Sequence, residues 1–131
     1  NDYTKEEMKM VNETQKILGK KIEVSATCVR VPILRSHSES ITIRFANDVN
    51  VERAIQVLKE AKNVQVQDEP ENNIYPMPIW ASNTDITYVG RIRPDINRPN
   101  ILHLWCVADQ IRVGAATNSV RIAQRWIEME G

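Results

Sequence analysis

Arg30 and His37 are the two side chains whose types and spacing first suggest chemistry. Arg30 has the same parity as Cys28 in an alternating segment. If the face that carries these two residues points inward, the Arg30 guanidinium is buried and needs a partner. A planar carboxylate is the best partner for it. His37 follows seven positions later at the start of the next strand, and histidine readily transfers protons near neutral pH. The alternative is a structural arginine–glutamate pair, with Glu39 within reach, and a surface histidine; spacing alone favours that alternative.

Glu6 and Lys9 form a second candidate pair. They are three positions apart, which places them on the same face of a helix. An exposed ion pair at this spacing contributes about 0.2–0.5 kcal/mol. The alternative is a substrate clamp, in which the Glu6 carboxylate binds an ammonium group of the substrate and Lys9 binds an anionic group. Spacing favours the ion pair, and the neighbouring Glu7 is assigned to helix capping with Thr4.

The remaining candidates have simpler interpretations. Cys28 would become nucleophilic only as a thiolate in positive surroundings, but Cys28 and Cys106 both fall in apolar strands, where thiols are usually unreactive. His103 also lies in an apolar strand and is interpreted as a hydrogen-bonded residue of the core. Gly114 allows either the close approach of a ligand to a helix start or tight packing, and packing is favoured. The sequence contains no glycine-rich phosphate motif and no zinc motif, and we predict no metal site.

Composition restricts the classes of protein to which these residues could belong. The 131 residues fit one domain, and 42% apolar and 26% charged residues are ordinary for globular chains. Seventeen basic residues balance seventeen acidic ones, which argues against binding to nucleic acid or to a membrane surface. Two cysteines are too few for a disulfide framework and indicate reduced thiols in a cytoplasmic protein. Because the sequence begins Asn1-Asp2-Tyr3 without an initiator methionine, we expect it to be part of a longer protein.

Hydrophobic periodicity predicts an α+β fold in the order α-β-β-α-β-β-β-α, with helices packed on a mixed, mostly antiparallel sheet. Residues 101–107 are apolar enough for a central strand that is buried on both faces. Gly19 is expected to end the first helix, and the second helix is expected to carry an apolar stripe of Val51, Ala54, Ile55 and Leu58. The other predicted elements are a helix over 4–18, a strand over 22–28, a connector over 32–36, a strand over 41–45, a helix over 51–61, a short strand over 64–66, an extended surface segment over 68–82, a strand over 86–94 and a last helix over 113–130.

Six segments carry combinations of residues that together are more specific than any one of them. They are Glu6-Glu7-Met8-Lys9 with Asn12-Glu13-Thr14, Cys28-Val29-Arg30-Val31-Pro32, Arg35-Ser36-His37-Ser38-Glu39, Glu71-Asn72-Asn73-Ile74-Tyr75-Pro76, Val89-Gly90-Arg91-Ile92-Arg93, and Trp105 through Asn118. In this order, and across essentially the whole chain, they resemble the aspartate-semialdehyde dehydrogenase family.

The resemblance implies both a fold and a reaction. The fold resembles the C-terminal domain of the glyceraldehyde-3-phosphate-dehydrogenase type, so residues 1–131 would form part of a catalytic and dimerisation domain. The enzyme would interconvert 4-phospho-L-aspartate with L-aspartate 4-semialdehyde and phosphate, using NADP and a cysteine thioester, in lysine, threonine, methionine and isoleucine biosynthesis. A cytoplasmic homodimer with small-molecule substrates is expected, without nucleic acid or membrane partners.

Individual roles follow from the matching motifs. His37 resembles the general acid/base, and Arg30 resembles the group that binds the substrate carboxylate. Glu6 resembles the contact to the substrate's amino group, Lys9 the phosphate-binding residue, and Gln110 a cofactor contact near the nicotinamide. The physical interpretation agrees, since a phosphate dianion favours a lysine and a planar carboxylate favours the fork of an arginine.

The chain departs from the family in two ways. Ser36 stands where the family connector usually has glycine, which affects only the geometry of the loop. The family's nucleotide-binding domain and nucleophilic cysteine have no counterpart in this sequence. We therefore expect NADP to be bound mainly outside the chain and the chain alone to be inactive. The last helix, 113–130, is expected to pack on that nucleotide-binding domain, so its apolar face would be exposed or swapped without it.

Two alternative functions remain open at this point. A related acyl-phosphate reductase, such as N-acetyl-glutamyl-phosphate reductase, would use a substrate without a free amino group, and Glu6 argues against it. A non-catalytic dimerisation or binding module is the other alternative. Such a module would not require Arg30, His37, Glu6 and Lys9 together.

Overall fold

The first helix begins and ends at the residues that its capping pattern predicts. In the computed structural model, which describes residues 1–131, helix α1 spans Lys5–Leu18. The Thr4 side chain accepts the Glu7 N–H, the Glu7 carboxylate accepts the Thr4 N–H, and Gly19 ends the helix at a φ of 61°. Residues 1–32 form one unit of the chain and residues 33–131 form another.

The strand predicted over residues 22–28 does not form. The alternation is present, since Val24 and Ala26 are half-buried between exposed neighbours, but no strand of the chain pairs with the segment. Periodicity shows which face of a segment is apolar, whereas a strand also needs a ladder partner for its N–H and C=O groups. The segment is irregular instead, and its Cys28 N–H donates to Glu7 Oε1 at 2.9 Å.

The second unit is built on a four-stranded sheet. Its strands are β1 (His37–Arg44), β2 (Val64–Val66), β3 (Thr87–Pro94) and β4 (Ile101–Ala108), in the order β1-β4-β3-β2. Strand β4 pairs antiparallel with β1 and with β3, and β2 pairs parallel with β3. These pairings confirm the α+β class, the mixed and mostly antiparallel sheet, and the central position of β4.

Helix α2 (Val51–Glu60) packs on this sheet and completes the core of the unit. Asn50 caps the helix by accepting the Arg53 N–H at 2.7 Å. The predicted apolar stripe of the helix contacts the buried cluster of the sheet, formed by Val89, Ile92 and Leu102. The stripe residues are Val51, Ala54, Ile55 and Leu58. Full burial of one large apolar side chain contributes about 1.5–3 kcal/mol. The four stripe residues are half-buried, so each contributes less than this to the core.

The segment before β3 is only partly the extended surface chain that its prolines predict. It contains a 3₁₀ turn at Pro70–Asn72 and a short helix, α3 (Pro78–Ala81), which begins with proline. Pro76 and Ala81 are fully buried, and Trp105 Nε1 of β4 donates to the Pro76 carbonyl at 3.0 Å. The segment therefore packs against the central strand at these two positions.

The C-terminal helix has two parts. A five-residue π-helical turn at Arg112–Ala116 leads into α4 (Thr117–Glu130). Most large apolar side chains of α4 are exposed, namely those of Val120, Ile122, Trp126, Ile127 and Met129. The helix thus carries an apolar surface that its own unit does not cover. No helix of the structure combines the length and apolarity needed to cross a bilayer.

Candidate active site

His37 and Gln110 lie at the same end of the sheet. His37 opens β1 and pairs with Ala108, the last residue of β4, and Gln110 follows two positions beyond that pair. The Oε1 atom of Gln110 accepts the Ser36 N–H at 2.6 Å. The His37 side chain is exposed and has no hydrogen bond or ion pair within its unit. The structure therefore brings two of the five predicted site residues to the same end of the sheet and leaves the imidazole without a partner in its unit.

Asp109 is the buried anchor of this end of the sheet, and the sequence reasoning did not identify it. Its oxygens accept the N–H groups of Asn83 at 2.7 Å, Ile111 at 2.9 Å and Arg112 at 3.1 Å. Arg35 Nε lies 2.7 Å from Asp109 Oδ2. Burial raises the pKa of this carboxyl, but the three N–H groups and the guanidinium outweigh burial, so the pKa of Asp109 lies below its usual value. The available signal was a charged residue directly after the most apolar strand.

Ser36 occupies a strained turn immediately before His37. Its φ is 78°, in the left-handed region that disfavours residues with a Cβ, and its side chain is buried. Ser82 Oγ donates to the Pro78 carbonyl at 2.7 Å and therefore accepts from the Ser36 hydroxyl at 2.9 Å. Serine at this position thus adds a hydrogen bond that glycine could not make.

Glu6 and Lys9, in the first unit, form the exposed ion pair that their spacing favours. Lys9 Nζ lies 3.3 Å from Glu6 Oε1, and the two side chains are 62% (Glu6) and 54% (Lys9) exposed. The neighbouring Glu7 is structural, as predicted. Its carboxylate accepts the N–H groups of Thr4 and Cys28, and these bonds hold the pKa of Glu7 below its usual value. The role of Glu6 and Lys9 as a substrate clamp stays a prediction.

Arg30 and Cys28 are both exposed, which corrects the interpretation that they share an inward face of a strand. The segment pairs with no strand, so nothing fixes one of its faces inward. The alternation in burial ends at Ala26, and residues 27–34 are all exposed. The Arg30 guanidinium has no hydrogen bond or ion pair within residues 1–32. No residue of its own unit therefore occupies its five N–H donors.

Cys106 and His103 have structural positions in β4. Burial, with a smaller effect of Glu39, raises the pKa of the Cys106 thiol to about 11, so this thiol is protonated and unreactive near neutral pH. His103 is hydrogen-bonded as predicted, with Nδ1 3.0 Å from Thr42 Oγ1 and Nε2 2.9 Å from Asp95 Oδ2. Its side chain is half-buried rather than in the core.

A second carboxylate, Asp85, fixes the start of the last helix. It accepts from Arg112 Nε at 2.7 Å, from Arg112 Nη2 at 2.9 Å and from the Thr117 hydroxyl at 2.7 Å. These bonds from Arg112 and Thr117 hold the pKa of Asp85 well below its usual range. Gly114 lies in the same turn but is exposed, and a Cβ there would meet only Gln110 Cβ, at 3.9 Å. The tight packing favoured for Gly114 from the sequence is therefore wrong.

Comparison with known proteins identifies the family. Residues 1–113 match the family described as "Semialdehyde dehydrogenase, dimerisation domain", and the chain belongs to this family. Among curated relatives, the aspartate-semialdehyde dehydrogenase of Campylobacter jejuni is 66% identical over 99% of this chain, and that of Bacillus subtilis is 50% identical over 95%. The chain spans 38% and 36% of the lengths of these two relatives.

Solved structures share the fold. Aspartate semialdehyde dehydrogenase II from Vibrio cholerae, complexed with ASA, matches 96% of this chain with a TM-score of 0.90 and 38% identity. The enzyme from Candida albicans with NADP matches 85% of this chain with a TM-score of 0.70 and 28% identity. The chain covers 37% of the first of these structures and 39% of the second. The expected fold and family are confirmed.

The strained turn makes a prediction about Ser36. Replacement by alanine removes the hydroxyl and keeps the strain, so the free energy of unfolding should fall by about 1 kcal/mol, the typical net value of a hydrogen bond. Replacement by glycine removes the hydroxyl and also relieves the left-handed strain. The glycine variant should therefore be about 1 kcal/mol more stable than the alanine variant. Urea unfolding of the two variants measures the difference. Equal stability of the two would show that the positive φ costs nothing.

Proposed function

We propose that the chain is the substrate-binding and dimerisation part of an enzyme that oxidises L-aspartate 4-semialdehyde with phosphate and NADP to 4-phospho-L-aspartate, and catalyses the reverse reaction. The family match and the 66% identity to the Campylobacter jejuni enzyme support this proposal. The observation that carries it is the exposed His37 imidazole, without a partner in its unit, beside the Gln110 side chain at an ordered sheet end.

His37 acts as the proton shuttle in this proposal. A cysteine thiolate from outside residues 1–131 attacks the aldehyde carbon, and the carbonyl oxygen takes up the electron pair. His37 donates a proton to that oxygen and takes it back when the hydride leaves the carbon. NADP, when bound, supplies the hydride acceptor. Phosphate then displaces the thiolate from the thioester to form the acyl phosphate, and the chain alone is inactive because it lacks the thiol nucleophile.

Arg30, Glu6 and Lys9 bind the charged groups of the substrates in this proposal. The planar guanidinium of Arg30 is exposed and donates two hydrogen bonds to the substrate carboxylate. Glu6 binds the ammonium group, and Lys9 binds the phosphate. Their ion pair must open for this, which costs little because an exposed pair contributes about 0.2–1 kcal/mol.

Gln110 fits the role of a contact to the nicotinamide. Its Oε1 already accepts the Ser36 N–H, so its Nε2 is the group left for a ligand. An amide N–H donor suits the carboxamide oxygen of a nicotinamide. The hydrogen bond to Ser36 also fixes the Gln110 side chain against the residue before His37.

The quaternary structure and domain arrangement follow the family in this proposal. Residues 1–131 belong to the catalytic and dimerisation domain, and the assembly is a homodimer. The exposed apolar side chains of α4 are covered by the nucleotide-binding domain, because an apolar surface of this kind is rarely left open on a soluble protein.

The proposal as a whole is tested in a complete enzyme. The aligned 130 residues of this chain replace the matching residues of the Campylobacter jejuni relative. The chimera should form NADPH from aspartate semialdehyde only when phosphate is present, at a rate within about tenfold of the relative, a difference of about 1.4 kcal/mol in the barrier. A folded, dimeric chimera that lacks this activity would contradict the proposed function.

Replacement of His37 by alanine in the chimera tests the proton shuttle. The value of kcat should fall by roughly 10²–10⁴, the usual contribution of acid–base catalysis, while KM changes little. The matched control is His103→Ala, since that histidine is held by Thr42 and Asp95. It should lower the stability and leave kcat unchanged. Unchanged turnover in the His37 variant would remove this residue from the mechanism.

Replacement of Lys9 by alanine tests the phosphate site. Loss of a charge-assisted hydrogen bond should raise the KM for phosphate by about tenfold or more. Lys16→Ala is the control, because Lys16 is exposed two turns further along the same helix face. If both variants show the same phosphate dependence as the parent, Lys9 is a surface charge only.

A further inference from the structure

The two residues before His37 are each bound to one of the two residues that follow β4. Arg35 Nε lies 2.7 Å from Asp109 Oδ2, and the Ser36 N–H donates to Gln110 Oε1 at 2.6 Å. His37 itself pairs with Ala108 in the ladder. Three consecutive residues, two before β1 and its first, thus each contact one of three consecutive residues at and after the end of β4, and these contacts restrain the backbone before the imidazole.

The Asp109 carboxylate is itself held from two other segments. Oδ2 accepts the Asn83 N–H from the loop after α3, and Oδ1 accepts the N–H groups of Ile111 and Arg112 from the turn before α4. These bonds fix the carboxylate independently of Arg35. Because Asp109 is fully buried, its charge also needs a compensating cation, and Arg35 is the cation that supplies it.

We propose that Arg35 and Asp109 are positioning residues for His37. The pair fixes the chain two positions before the imidazole, and Ser36 with Gln110 transmits this constraint to the Cα–Cβ bond of His37. Neither Arg35 nor Asp109 has to contact the substrate. The proposal rests on the proposed proton shuttle, because positioning has a consequence for turnover only if His37 transfers a proton. A displacement of about 1 Å at a catalytic group costs about 10²-fold in rate.

A double-mutant cycle in the chimeric enzyme tests the proposal. Arg35→Gln should lower kcat by about 10- to 100-fold, with the KM values for semialdehyde and phosphate within about twofold of the parent. In the His37→Ala background the same change should lower kcat no further, because the group that it positions is gone. Arg35→Lys should recover part of kcat, since the ammonium group retains the charge opposite Asp109.

Two further variants separate positioning from loss of stability. Asp109→Asn should reproduce the kcat effect of Arg35→Gln. Asp95→Asn is the matched control, since it breaks the half-buried pair with His103 at the other end of β4. It should change the unfolding temperature and leave kcat unaltered. If Asp109→Asn does not fold, the Arg35 variants decide alone, because the Arg35 side chain is 31% exposed and Arg35→Lys retains the charge opposite Asp109.

The outcomes distinguish the inference from the proposed function. The positioning role would be overturned if the kcat losses of Arg35→Gln and His37→Ala multiply in the double variant. It would also be overturned if Arg35→Gln leaves kcat unchanged. An equal kcat loss in Asp95→Asn would likewise overturn it, because the effect would then follow general stability. If His37→Ala alone leaves turnover unchanged, the proposed proton shuttle fails and the positioning role fails with it. The proposed function itself fails only if the chimera lacks the dehydrogenase activity.

Discussion

A buried carboxylate holds the candidate site together. Asp109 accepts N–H groups from the loop after α3 and from the turn before α4, and Arg35 supplies the opposite charge. A charge is stable in a protein interior only when it is paired and fully hydrogen-bonded. The segments around Asp109 must therefore take one arrangement when the unit folds, and that arrangement determines the positions of Ser36, His37 and Gln110.

The elements whose signals are local were predicted well from the sequence. The capping box of Thr4 and Glu7, the stop at Gly19 and the apolar stripe of α2 each involve residues a few positions apart, so the sequence contains the whole interaction. The central position of β4 was also predicted, from its nearly continuous apolar run. Its burial on both faces was not confirmed, since five of its eight residues are only half-buried.

The features that depend on distant residues were not predictable in this way. Residues 22–28 alternate like a strand but have no ladder partner in the chain. Asp109 takes two of its four partners, Asn83 and Arg35, from distant parts of the chain. For the site, spacing alone favoured an ion pair for Glu6 with Lys9. The catalytic roles came from the family resemblance, and the geometry within the second unit adds only the neighbourhood of His37 and Gln110 to them.

The pairing of β1 with β4 has a consequence for how the site forms during folding. These strands are separated in the chain by α2, β2, α3 and β3, so closing this pair carries a larger loop entropy than closing the β3–β4 hairpin. The ladder from His37 to Arg44 is a non-local contact, and we expect it to form late. The α2 packing and the hairpin can form before it, whereas the arrangement of Ser36, His37 and Gln110 exists only after the sheet has closed on its first strand.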